Sequence, residues 1–64
     1  MNGIAKRLKQ LRGEESVESL SRKLQISPSA IRMYETGKRI PRDHIKQRIA
    51  EYYNVSVESI FFTQ

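Results

Sequence analysis

Ser27-Pro28-Ser29-Ala30-Ile31-Arg32-Met33-Tyr34-Glu35-Thr36-Gly37 carries a helix start, a helix stop and two unlike faces in one short run. Ser27 offers a side-chain acceptor to the first turn, and Pro28 sits where a fixed φ helps and a missing N–H costs nothing. Gly37 supplies the left-handed residue that ends the helix, so the spacing predicts a helix over about 28–36. On a 3.6-residue period Ala30, Ile31 and Tyr34 fall on one side. Ser29, Arg32, Met33 and Thr36 fall on the other, at the i, i+3, i+4, i+7 spacing. The apolar side must pack, so the mixed side is presented.

An isolated amphipathic helix is most often a surface helix with a solvated polar face. The stretch upstream changes that reading. Val17 to Leu24 has a second helical pattern, joined to the first by only Gln25 and Ile26, which is the spacing of a helix-turn-helix at about 16–36. Such a motif wants a small residue four before the turn, a turn residue, and an apolar residue six after it. Ser21, Gln25 and Ile31 stand in those places. The outward face of the helix at about 28–36 is then a DNA-recognition face.

Composition bounds the rest. A chain of 64 residues makes one small domain, 1–64, able to bury about 60% of its unfolded surface. It has no cysteine, hence no disulfide framework, thiolate metal site or thiol nucleophile. No run approaches the roughly 18 apolar residues of a membrane span, and no signal-peptide pattern opens the chain, so a cytoplasmic, nucleoid-associated protein is expected. Twelve Lys and Arg against seven Asp and Glu give +5, unevenly placed. Residues 1–50 hold all twelve bases and five acids, net +7, whereas 51–64 hold only Glu51 and Glu58, net −2. A basic body with an acidic end fits a polyanion partner, most simply nucleic acid, on one side only.

Three further helices complete an all-α chain. The first runs from Asn2 or Gly3 to Arg12, with Ile4, Leu8 and Leu11 as its inward stripe. Gly13 closes it, Glu14 and Glu15 connect, and Ser16 caps the second helix, which buries Leu20 and Leu24 with Val17 at the edge. Ile26 tucks beneath the turn. After the basic loop Lys38-Arg39-Ile40-Pro41-Arg42, a fourth helix from about Arg42 to Tyr53 turns Ile45, Ile49 and Tyr52 or Tyr53 inward. Val55 anchors the next connector, and a fifth helix, Ser56 to about Phe62, adds Val57, Ile60 and Phe61. Ser16-Val17-Glu18-Ser19 recurs as Ser56-Val57-Glu58-Ser59, one helix-start solution used twice.

The segments Leu11-Arg12-Gly13, Leu20-Ser21-Arg22-Lys23-Leu24-Gln25-Ile26-Ser27 and above all Tyr34-Glu35-Thr36-Gly37-Lys38-Arg39-Ile40-Pro41 resemble the lambda-repressor-like (Xre) helix-turn-helix family. So does the closing Tyr53-Asn54-Val55-Ser56-Val57-Glu58-Ser59-Ile60-Phe61. The resemblance covers nearly the whole chain. It implies a compact five-helix DNA-binding domain, usually a homodimer on a palindromic operator, in bacteria, phages and mobile elements. Three positions depart from the pattern. Val17 replaces the glutamine that usually touches phosphate at the start of helix two. Gln25 replaces the turn glycine, at up to about 1 kcal/mol if left-handed. Ser21 replaces a small alanine.

Carried over residue by residue, the resemblance places Ser27, Pro28, Ser29, Arg32 and Met33 at the major-groove surface, with Pro28, Ser29, Arg32 and Met33 as base readers. Arg32 is suited to the O6/N7 edge of guanine, and Met33 to a thymine methyl. Lys38, Arg39 and Arg42 are phosphate clamps, because long flexible cations in a loop give charge without fixed geometry. Ser16, Ser27 and Thr36 are further phosphate candidates, each with an equally good structural task. The family pairs an arginine late in helix one with the glutamate after the aromatic, here Arg12 and Glu35. Its C-terminal end often forms the two-fold contact, here Val57, Phe61 and Phe62.

Other chemistries lack parts. His44, the only histidine, has no further ligands at metal spacing, and no base stands beside the serines. No metal, cofactor or small-molecule ligand is expected, and no catalysis. The expected function is a sequence-specific regulator of transcription, a repressor rather than an activator. The alternative is a protein-interaction module, such as an antitoxin or anti-repressor partner.

Overall fold

Serine hydroxyls start three of the helices in the same way. In the computed structural model, which describes residues 3–62, Oγ of Ser16, Ser27 and Ser56 accepts from the N–H of Ser19, Ala30 and Ser59 at 3.0, 3.1 and 3.1 Å. The helices are α1 (Gly3–Arg12), α2 (Val17–Leu24), α3 (Pro28–Thr36), α4 (Asp43–Tyr53) and α5 (Val57–Phe61), with no strand among the described residues. Asn2, the alternative start of α1, lies outside the described residues. The repeated Ser-Val-Glu-Ser is thus folded identically at both its occurrences, as a capped first turn with glutamate near the positive helix end. Arg42 is the N-cap of α4 rather than its first residue and gives no side-chain cap bond.

Left-handed residues end four of the five helices: Gly13 (φ 59°) follows α1, and Gln25 (φ 57°), Gly37 (φ 80°) and Asn54 (φ 57°) are the C-caps of α2, α3 and α4. At Gln25 this conformation costs about 1 kcal/mol, since its Cβ crowds the following carbonyl. Ser21 offsets the cost. Its hydroxyl donates to the Ile26 carbonyl, and its own carbonyl accepts from the Ile26 N–H at 3.2 Å. The serine that stands for a small alanine therefore ties down the turn.

One apolar core binds all five helices. Leu8, Leu20, Leu24, Ile31, Ile49 and Ile60 are buried in it, Ile60 most deeply at 1% exposed, with Ile26 beneath the turn and Tyr34 beside it. Ala5, which the Ile4-Leu8-Leu11 stripe omits, is buried as well, and Ile4 and Leu11 lie at the margin. One expectation needs correction and two open choices are narrowed. Val55 does not anchor its connector, being 37% exposed; the turn is held by backbone, the Val55 N–H donating to the Ala50 carbonyl. Tyr53 is the inward tyrosine, and Tyr52 is turned out to a surface acceptor. Phe61, at 6% exposed, closes the core from α5 and offers almost no surface to a second molecule.

Polar ties then fix the angles between helices. Arg7 Nε donates to the Ile60 carbonyl at 2.8 Å, joining α1 to α5, and Arg48 Nη1 to the Leu24 carbonyl at 3.0 Å, joining α4 to α2. Glu15, in the α1–α2 connector, accepts from the Ser19 and Tyr52 hydroxyls at 3.0 and 3.1 Å and pairs with Lys23 at 2.9 Å. The Lys23 ammonium, foremost, holds the Glu15 carboxyl below the usual carboxylate range.

Candidate nucleic-acid interface

Packing α3 against α1 and α2 decides which of its residues remain available. Ile31 and Tyr34 are 4% and 9% exposed, whereas Ser29, Arg32, Met33 and Thr36 all lie in solvent. Pro28, at the first position of the helix, is half-buried. The outward residues occupy successive turns of one face, and together they present a hydroxyl, a guanidinium and a thioether.

The C-terminal half of α3 is bolted to α1. Arg12 Nε and Nη2 donate to Glu35 Oε2 and Oε1 at 2.8 and 3.0 Å, a two-pronged pair, while Nη1 donates to the Glu15 carbonyl at 2.7 Å. Both side chains are largely covered, 17% and 8% exposed. The hydrogen bond to Glu35 raises the Arg12 pKa above its ordinary value, so this charge is permanent. Such a fork fixes distance and plane at once, so it holds α3 at one angle to α1.

The basic loop grows out of the same helix end. The N–H groups of Lys38 and Arg39 both donate to the Met33 carbonyl, at 3.0 and 3.3 Å, folding the loop back on the last turn of α3. Lys38, Arg39 and Arg42 are exposed, and none has an ion pair or side-chain hydrogen bond among the described residues. Arg39 and Arg42 border an open notch with Tyr34 and His44. Between these cations Ile40 is 55% exposed while Pro41 is buried, an apolar contact that the charge pattern alone did not single out.

The three hydroxyl candidates differ in what they have left to give. Ser16 and Ser27 accept cap bonds, which leaves each hydroxyl proton free to be donated. Thr36 Oγ1 instead donates back to the Arg32 and Met33 carbonyls at 2.9 and 3.3 Å, so its proton is used within α3. At the far end of the molecule Phe62 is 61% exposed and Val57 half-buried, and the Lys46 ammonium lies 5.5 and 5.2 Å from the Phe61 and Phe62 rings.

A contact that helical spacing did not single out joins the two helices of the motif. Arg32 Nη2 donates to Glu18 Oε2 at 2.7 Å, and Arg32 foremost holds the Glu18 carboxyl below its ordinary range. The partners sit on different helices, and the only signal in the sequence is an acid in the first turn of α2. Among the described residues no three metal-ligating side chains converge, and no helix is long and apolar enough to cross a membrane.

A helix-turn-helix family model matches residues 8–60, which spans both helices of the motif, the basic loop and most of α5. No curated protein and no solved structure matches the chain closely enough to serve as a relative. The family match extends over most of the sequence and coincides with an all-helical fold whose α2 and α3 meet at a two-residue turn. The chain therefore belongs to the helix-turn-helix family of lambda-repressor-like (Xre) type, a family of DNA-binding regulators.

Proposed function

We propose that the protein is a sequence-specific repressor that binds a palindromic operator as a homodimer, with α3 in the major groove of each half-site. The observation that carries this reading is the division of α3: an apolar side held in the core, a two-pronged anchor at Glu35, and an outward side of Ser29, Arg32 and Met33. Pro28 and Ser29 stand at the entering end, Arg32 reads a guanine edge, and Met33 packs on a thymine methyl. Ser16 and Ser27 give hydroxyls to phosphate, and Lys38, Arg39 and Arg42 give charge. Thr36 contributes through its oxygen and its place on the outward face. Occupancy of the operator is enough to block transcription.

Dimerisation is assigned to the α5 end, through Phe62 and the exposed edge of Val57, with Phe61 behind them as part of the wall. The reversal of charge along the chain supports this, because the acidic end is the part least suited to face DNA. Selection of binding sites from random duplexes tests the whole reading. A saturable, salt-dependent complex on a two-fold symmetric motif is expected; an absence of saturable binding to any duplex would overturn it and favour a protein partner.

A further inference from the structure

Glu18 is an acid placed beside a face that is to meet phosphate. It stands in the first turn of α2 and accepts from Arg32 Nη2 at 2.7 Å. The two side chains are 58% and 56% exposed, so the pair adds little to stability. A carboxylate in this place also opposes the approach of a polyanion, so general affinity for DNA does not account for it either. Its hydrogen bond does two other things. It offsets part of the charge by which any phosphate attracts an arginine, and it restricts where the guanidinium lies, on which a two-pronged contact with guanine depends. Glu18 in turn interacts with Arg22, one turn further along α2, which helps to keep it ionised.

Geometry allows bracing and reading together. The contact engages only Nη2 and so one of the five N–H donors of the group. A guanidinium has two donor forks, and a single bond at Nη2 leaves one of them whole.

We infer, on the footing of the DNA-binding reading above, that Glu18 is a positioning residue that sets sequence specificity. It orients Arg32 for a two-pronged contact with a guanine edge and suppresses the attraction of Arg32 to phosphate. Two replacements separate these effects. Glu18→Gln keeps a carbonyl acceptor and removes the charge; Glu18→Ala removes both.

The test is site selection and competition titration with the parent, Glu18→Gln, Glu18→Ala, Arg32→Ala and the Glu18→Ala/Arg32→Ala double variant. Thermal melts that overlay the parent's show that the variants are folded. Both Glu18 variants are expected to bind random-sequence duplex several-fold more tightly. Glu18→Ala loses about tenfold of the guanine preference at the base pair read by Arg32, the scale of one good two-pronged contact. Glu18→Gln retains most of that preference, and Glu18→Ala changes it no further once Arg32 is gone. If Glu18→Ala keeps the parent's base preference, or Glu18→Gln loses as much of it, the positioning role is overturned while DNA binding stands. If the parent itself forms no saturable complex, the DNA-binding reading falls and this inference with it.

Discussion

Arg32→Ala is expected to cost about 1 to 3 kcal/mol at the selected site and to relax preference at one base pair per half-site. Fluorescence anisotropy on a set of single-base operator variants measures both. Gln25 offers a stability test of a different kind. Glycine relieves the left-handed strain at φ 57° but loosens the unfolded chain, so Gln25→Gly should gain about 0.5 kcal/mol in urea denaturation. Tyr53 makes an alkaline prediction. Burial foremost, then the negative charges of Glu15 and Glu35, push its phenol from 10.0 up to about 12. The unfolded chain then loses this proton before the folded one. Stability is therefore unaffected by Tyr53 below about pH 10 and is lost as pH rises towards 12. In Tyr53→Phe that alkaline decline should be shallower. Its melting temperature at pH 7 should stay close to the parent's, since the buried hydroxyl has no hydrogen-bond partner among the described residues.

On the proposed reading, the loop after α3 is the element that meets phosphate. Neutralising Lys38, Arg39 or Arg42 singly should weaken all duplexes alike and lower the slope of log affinity against log salt by about one unit. Titrations at several salt concentrations check this; a variant that weakened only the selected site would be a base reader instead. This loop, like the three serine caps, was legible from local chemistry, because a cap or a basic run declares itself within four or five residues. The boundaries of α2 and α3 followed for the same reason. The choice between Tyr52 and Tyr53 was not legible, since an 11-residue helix allows either to face inward. It was settled by Glu15, far away in sequence, which holds the Tyr52 hydroxyl at the surface. Glu18 to Arg32 was hidden likewise, as it depends on how α2 and α3 are set against each other.

At the scale of the whole molecule the charge division and the α5 end bear on assembly. Sedimentation with a full operator duplex should find two protein molecules per palindrome, and Phe62→Ala should reduce this cooperativity while leaving binding to an isolated half-site nearly unchanged. One molecule bound per palindrome would remove the two-fold assignment. Surface connectors ordinarily accept extra residues at little cost, because closing a longer loop loses entropy only slowly. The link between α1 and α2 is an exception. Its Glu15 grips a serine and a lysine of α2 and a tyrosine of α4, and the Glu15 carbonyl holds Arg12 as well. Anyone grafting a tag or spacer into this protein would spring that clasp and loosen α2 against α1 and α4; the safer place for added length is where no side chain reaches back.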